Sequence, residues 1–228
     1  MIGRRLATPL DVVRRLGAVQ SQDYAGGKWG IGQRTRDSTD ADVERALTAG
    51  AIVRTHVLRP TWHFVAAGDI RWMLELTGPR VRARMAPYDR QLELDEKVFS
   101  RSAAAITKAL ERNKELTRGE LRVVLDRARI GATGTQRLAH LMMRAELDGL
   151  VCSGVRRGKQ STYALLEERL PAAPALQRDE ATRGARETLF RDAWSGNRPG
   201  LRLVVGAFRC RREARNRSRA IQLRASGR

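Results

Sequence analysis

The sequence predicts a mainly α-helical protein with small β elements, an α+β fold built from tandem winged helix-turn-helix domains. The first observation behind this prediction is the stretch from Phe99 to Leu166, where three segments with helical spacing of apolar residues precede two apolar runs joined by a Gly-rich turn. The second is that the first half of the chain repeats this plan in a less regular form.

The first domain is predicted over residues 1–90. Each of its helices is expected to run from a polar N-cap residue to a glycine. The three helices start at Thr8, at Thr39 or Asp40, and at Asp69, and they end at Gly17, Gly50 and Gly78-Pro79. Residues 51–65 are predicted to form two β segments interrupted at Pro60.

The second domain is predicted over residues 91–170. Its helices are marked by Ile106 and Leu110, by a capping box of Thr117 and Glu120, and by an apolar stripe that begins near Thr135. In a winged helix the third helix enters the major groove and the hairpin reaches phosphates or the minor groove. The residues predicted to bind DNA are therefore Arg137, His140 and Arg144 on that helix and Arg156, Arg157 and Lys159 on the hairpin. The same basic pattern is typical of a solvated face, and many winged helices dock proteins instead.

The net charge indicates a polyanionic partner. The 228 residues include 44 Lys and Arg against 25 Asp and Glu, a formal charge of +19, so double-stranded DNA is the expected partner. Because no long apolar run or signal peptide is visible, we expect no membrane partner and a cytoplasmic location, at the bacterial nucleoid when bound. Two cysteines and three histidines show no zinc spacing, so neither a metal nor another cofactor is expected. The oligomeric state stays open.

A Gln-x-Gln pair follows the first helix. Gln20 and Gln22 are two positions apart, so on an extended segment their side chains share one face. Carboxamides can bind a base edge, orient a water or stabilise developing positive charge, but they cannot act as a general base at pH 7. Two surface or capping glutamines are the competing interpretation.

Four segments, taken in order, resemble a bacterial winged-helix family that includes the azinomycin-resistance DNA glycosylase and relatives that unhook interstrand crosslinks. These segments are Leu16-Gly-Ala-Val-Gln-Ser-Gln-Asp-Tyr24, Ile52-Val-Arg-Thr-His56, Leu58-Arg-Pro-Thr-Trp-His63 and Thr117-Arg-Gly-Glu-Leu121. The resemblance covers roughly residues 4 to 190. It implies tandem winged helices, a later β-barrel domain, and a catalytic pair that maps onto Gln20 and Gln22. His63 is expected to support the DNA or the site, or else to be a buried histidine beside Trp62.

The resemblance also implies a reaction, the release of alkylated or crosslinked purines in DNA repair. A purine alkylated at N7 or N3 is already cationic, so the enzyme need only place water and stabilise an oxocarbenium-like sugar. The alternatives are a non-catalytic DNA-binding regulator and an inactive, truncated family member.

The chain departs from the family near its end. Residues 171–190 are expected to form a linker or the start of another helix. Residues 191–228 contain 11 Arg and no Lys, which predicts either a disordered basic tail or translation out of frame after about residue 190.

Overall fold

The computed structural model describes residues 5–131 and 134–170. The predicted linker over 171–190 and the Arg-rich segment over 191–228 lie outside the described residues. The described chain has mixed α and β structure, in agreement with the predicted α+β class. No helix in the described ranges is long and apolar enough to cross a membrane.

The chain runs through the same order of elements twice. The first repeat, residues 9–66, consists of α1 (Pro9–Leu16), β1 (Val19–Gln20), α2 (Tyr24–Gly32), α3 (Asp40–Thr48), β2 (Ile52–His56) and β3 (Trp62–Ala66). A long helix, α4 (Ile70–Gln91), follows it. The second repeat, residues 96–165, consists of α5 (Glu96–Leu110), β4 (Leu116–Thr117), α6 (Arg118–Arg127), α7 (Thr135–Leu147), β5 (Val151–Ser153) and β6 (Thr162–Leu165). A short helix, α8 (Leu166–Arg169), ends the described chain.

Each repeat contributes one small antiparallel sheet. The strand orders are β1-β3-β2 and β4-β6-β5, so in both the last strand lies at the centre. The short strand that follows the first helix pairs with one side of it, and the hairpin partner pairs with the other. The sheets are therefore equivalent in topology.

Capping boxes explain where α1 and α6 begin. The Thr8 hydroxyl accepts from the Asp11 backbone N–H at 3.1 Å, and the Asp11 carboxylate accepts from the Thr8 backbone N–H at 3.1 Å. Thr117 and Glu120 form the same reciprocal pair at the start of α6. The predicted start of α1, its end at Gly17, and the capping box of α6 are confirmed.

Two apolar clusters form the cores of the repeats. In the first repeat the buried residues are Val12, Val13, Ile31, Val43, Leu47, Ile52, Phe64 and Ala66. In the second they include Phe99, Ile106, Leu110, Leu121, Leu125, Leu138, Leu141, Met142, Val151 and Tyr163. The predicted apolar stripes of α5, α6 and α7 face this second cluster.

The prediction for the helix after Asp69 was wrong in its end point. It was expected to stop at Gly78-Pro79, but α4 continues to Gln91 with two prolines inside it. A proline at position 79 removes one backbone hydrogen bond and costs about 3 kcal/mol in a helix interior. The continuation is stabilised by packing, because Val81 and Met85 contact Met143 and Leu147 of α7.

Helix α2 was not predicted at all. Its sequence has four glycines in nine residues and no helical period, so neither propensity nor pattern indicated a helix. The reason for a glycine is visible at Gly27, where an added Cβ would lie 2.9 Å from the Phe64 ring and 3.1 Å from the Gln20 carbonyl oxygen. Helix α2 packs too closely on the sheet to accept a side chain there.

Candidate active site

The segment that carries the two glutamines is anchored to the sheet by its backbone. Val19 lies opposite Phe64 and Gln20 opposite His63 across the β1–β3 ladder. The next residue, Ser21, donates its backbone N–H to the Trp62 carbonyl oxygen at 2.8 Å, and its side chain is fully buried. Gln20 and Gln22 thus flank a fixed, buried residue, and both are exposed.

Both carboxamides are oriented through their oxygens. The Arg59 guanidinium donates to Gln20 Oε1 at 3.2 Å, and the Trp62 backbone N–H donates to Gln22 Oε1 at 3.4 Å. Neither amide nitrogen has an acceptor among the described residues, so both NH₂ groups are available to a ligand or a water. The structure therefore presents each glutamine of the predicted pair as an exposed amide held through its oxygen.

Arg54 holds the backbone between the two glutamines. Its Nε and Nη2 donate to the Ser21 carbonyl oxygen at 3.2 and 2.8 Å, and its guanidinium carbon lies 4.4 Å from the centroid of the Trp62 ring. Burial lowers the pKa of the Arg54 guanidinium, and the negative charge of Glu146 opposes that shift. Both backbone polar groups of Ser21 are consequently hydrogen-bonded.

The Trp62 indole is bound from the second repeat. Glu146, on α7 and only 1% exposed, accepts from Trp62 Nε1 at 3.3 Å through Oε1 and from the His56 backbone N–H at 2.9 Å through Oε2. The same Oε2 also contacts His56 Nδ1. The His56 and Trp62 rings are 4.7 Å apart between centroids. This network joins the two repeats beneath the glutamine segment.

His63 is buried beside Gln20. The side chain is 2% exposed, and its Nδ1 lies 2.9 Å from the Thr61 carbonyl oxygen, which accepts its hydrogen. Burial lowers the pKa of His63 from 6.5 to about 4, so the ring is neutral at pH 7. The interpretation as a buried, hydrogen-bonded histidine describes this geometry, and the cross-strand position keeps His63 adjacent to the candidate pair.

The three predicted DNA-contacting residues of α7 are directed at protein groups outside the glutamine segment. His140 Nδ1 lies 2.6 Å from Asp89 Oδ1, and Arg144 is 2.8 Å from Glu96 and 2.7 Å from Asp148. Arg137 donates to the backbone carbonyls of Leu92, Glu93 and Ile130. A role for these residues on DNA remains a prediction.

The three predicted residues of the β5–β6 hairpin differ from one another. The Arg156 guanidinium carbon lies 4.1 Å from the centroid of the Tyr24 ring. Tyr24 lies two positions after Gln22 in the sequence. Arg157 is paired with Glu120 at 2.9 Å. Lys159 is exposed, and within the described ranges no carboxylate pairs with its ammonium group. Arg156 therefore contacts the first repeat, whereas Lys159 faces solvent.

Sequence comparison decides the family. A family model described as DNA glycosylase AlkZ-like matches residues 13–225. The chain belongs to the AlkZ-like DNA glycosylase family. The matched range includes most of the Arg-rich segment that begins at residue 191.

The solved structure of Streptomyces sahachiroi DNA glycosylase AlkZ is similar to this AlkZ-like chain, with a TM-score of 0.70 at 20% sequence identity. The match covers 90% of this chain and 60% of that one, so the chain spans less than two thirds of the length of its structural relative. At this identity the likeness shows a shared fold. No curated protein matches the chain in sequence.

Sequence reasoning missed three residues of the AlkZ-like chain that hold the glutamine segment. Arg54 and Arg59 lie within the segments that carried the family resemblance, and their basic character next to the pair was a usable signal. Glu146 was detectable as an acidic residue four positions after Met142, on the apolar stripe of α7. Among the described residues, no group of three or more His, Cys, Asp or Glu side chains could hold a metal ion.

Proposed function

We propose that this AlkZ-like chain releases alkylated or crosslinked purines from DNA, with Gln20 and Gln22 as its catalytic residues. The observation that carries the proposal is the pair of exposed carboxamides on an anchored backbone, with both oxygens held and both NH₂ groups free of protein acceptors within the described ranges. Family membership supports the substrate class, because the matched model describes DNA glycosylases.

The chemistry requires no acid from the protein. A purine alkylated at N7 or N3 leaves as a neutral base when the glycosidic bond breaks, and the electron pair of that bond neutralises its charge. The sugar becomes oxocarbenium-like and is attacked by water, which loses its proton to solvent. Two oriented amides can hold that water through their free NH₂ groups and can stabilise the developing positive charge through their oxygens, because each oxygen has a second lone pair.

We further propose that the two repeats are tandem winged helices, in domains over residues 1–90 and 91–170. The shared order of helices and strands, and the central position of the last strand in both sheets, support this assignment. The proposed partner is double-stranded DNA. Arg59, beside Gln20, and Lys159, at the tip of the β5–β6 hairpin, are exposed basic side chains suited to contact phosphates.

The test is base release from a duplex that carries a single N7-methylguanine, measured under single-turnover conditions together with the dissociation constant for the same DNA. We expect Gln20→Ala and Gln22→Ala each to lower the rate by 10²-fold or more, roughly the effect of removing one charge-stabilising group. Binding should change less than about twofold, because the phosphate contacts remain.

Gln91→Ala is the matched control, since it removes an exposed glutamine at the end of α4. Its rate should equal that of the unsubstituted chain. Base release that persists in the Gln20→Ala, Gln22→Ala double variant would remove the pair from the reaction. Tight binding with no base release by any form of the chain would instead support a non-catalytic DNA-binding protein.

A further inference from the structure

A buried carboxyl group of the second repeat is hydrogen-bonded to groups of the first repeat. Glu146 is 1% exposed, and burial of a carboxylate is costly unless it is hydrogen-bonded. Its contacts are the His56 backbone N–H, the His56 ring and the Trp62 indole. All of these groups belong to β2 and β3. Hydrogen bonds from the first repeat therefore offset the cost of burying Glu146 in the second.

Trp62 transmits this contact to the glutamine segment by three routes. Its backbone carbonyl accepts the Ser21 N–H at 2.8 Å, and its backbone N–H donates to Gln22 Oε1 at 3.4 Å. Its ring supports the Arg54 guanidinium, which in turn holds the Ser21 carbonyl. The ring acts on Ser21 through Arg54, and Ser21 lies between the two glutamines, so a shift of the Trp62 ring would act on the backbone that carries both.

The hairpin of the second repeat braces the same region from another side. Ser153 Oγ accepts from the Arg54 backbone N–H at 2.9 Å, and the Arg156 guanidinium lies over Tyr24 at 4.1 Å. Tyr24 donates its hydroxyl to Glu44 at 2.9 Å, and Arg156 is 3.6 Å from the same carboxylate. The second repeat thus contacts Arg54, which holds Ser21, and Tyr24, which lies two positions after Gln22.

We propose that Glu146 is a positioning residue for the amide pair: it fixes the Trp62 indole and thereby sets the placement of Gln20 and Gln22. The inference rests on the proposed function, because it assigns to the second repeat a part in base release besides any contact with DNA. Displacement of a reacting group by about 1 Å from outside the site can lower a rate by about 10²-fold, so the effect is measurable.

Two substitutions disturb the contact from its two sides, and the first of them keeps the bulk of the side chain. Glu146→Gln keeps the shape but presents one acceptor oxygen and one NH₂ group to N–H donors, so at least one donor loses its acceptor. Trp62→Phe removes the indole N–H together with the five-membered ring, while a six-membered aromatic ring and the backbone contacts to Ser21 and Gln22 remain. If Glu146→Gln does not fold, Trp62→Phe still tests the proposal.

Asp69→Asn is the matched control. Asp69 is also a buried carboxyl group that accepts from an indole N–H, that of Trp72, at 2.9 Å. It lies at the start of α4, and its hydrogen bonds within the described ranges go to Ala66, Trp72 and Met73 and not to the glutamine segment. Any general cost of replacing a buried, indole-bound carboxylate by an amide will therefore appear in this variant as well.

The first measurement is the single-turnover release rate and the DNA dissociation constant. We expect Glu146→Gln and Trp62→Phe each to lower the rate by about 10²-fold with less than a twofold change in binding, whereas Asp69→Asn keeps the original rate. The double variant should be no slower than the slower single variant, because both changes break one contact. Additive losses, or a loss of binding equal to the loss of rate, would overturn the proposal.

The second measurement does not depend on activity. Hydrogen–deuterium exchange over residues 18–24 reports the Ser21 N–H that is bonded to Trp62. We expect this exchange to be at least tenfold faster in both test variants and to be unchanged in Asp69→Asn. If the unsubstituted chain releases no base but exchange responds as expected, the proposed function fails and the positioning contact stands. If exchange in this segment is unchanged, the proposal is wrong whatever the activity.

Discussion

The two repeats share one order of elements but differ in what their third helices present. In the first repeat, α3 carries Asp40, Asp42 and Glu44 and pairs Lys28 with two of them. In the second, the basic side chains of α7 bind acidic and carbonyl groups of the protein. Neither third helix, as described, offers an unpaired basic face. A shared topology therefore does not fix which surface is used, since the candidate chemistry lies at β1 and at the β2–β3 turn.

The largest expected effect is a loss of stability in mild acid, and it arises in the first repeat. That repeat holds a buried neutral histidine, His63, beside the candidate pair. The pKa of His63 is lowered from 6.5 to about 4 in the folded protein. Below pH 6.5 the unfolded chain therefore takes up a proton that the folded protein does not accept until about pH 4. Stability is lost as the pH falls through this window, by about 3 kcal/mol at its lower end.

Urea unfolding at pH 7, 5 and 4 measures this effect, and the comparison of unsubstituted protein with His63→Asn isolates it from other titrating groups. Burial raises the pKa of Asp69, so protonation of this carboxylate favours the folded protein as the pH falls. This opposing effect is present in both proteins and does not contribute to their difference. The free energy of unfolding of the variant should vary less between pH 6.5 and 4. Equal pH dependence in the two proteins would show that His63 becomes protonated without unfolding.

The repeats also differ in how well their sequences predicted them. The second repeat was predictable because Leu121, Leu125, Leu138 and Met142 recur at helical spacing and because the capping box at Thr117 is local. In the first repeat, α2 depends on close contact with the sheet at Gly27, a tertiary feature with no local pattern.

The candidate site also has one feature that the sequence predicts and one that it does not. The adjacency of Gln20 and Gln22 follows from two positions on one extended segment, so the sequence was sufficient to predict it. The contact of Glu146 with Trp62 spans 84 residues, and no spacing rule relates residues so far apart. Long-range hydrogen bonds of this kind became visible only when the two repeats were placed together.

A pair of glycine substitutions in α2 tests whether close packing on the sheet requires glycine at position 27. An alanine Cβ at position 27 would meet the Phe64 ring, the Gln20 carbonyl and the Ser21 Cα at 2.9 to 3.2 Å, so Gly27→Ala should lower the free energy of unfolding by about 1–3 kcal/mol. At Gly30 the nearest atom is 3.9 Å away, so Gly30→Ala should gain up to about 1 kcal/mol from helix propensity.

Thermal and urea unfolding of the two variants measure the difference. Its sign is the informative result, because both substitutions add the same methyl group to the same helix. Stabilisation by both would mean that the sheet can move away from α2, and the close approach of Gly27 to the glutamine segment would then be incidental to the fold.

The smallest expected effects distinguish two basic residues of one hairpin. Arg156 stacks on Tyr24 of the first repeat, so Arg156→Ala should lower stability by about 1 kcal/mol and leave the salt dependence of DNA binding unchanged. Lys159 is exposed, so Lys159→Ala should leave stability unchanged and reduce the slope of log K against log salt by about 0.9, the value for one lost phosphate contact. Urea unfolding and DNA titrations at several salt concentrations measure both variants. If the salt slope falls in Arg156→Ala instead, the exposed part of this side chain contacts a phosphate as well, and both basic residues belong to the DNA interface.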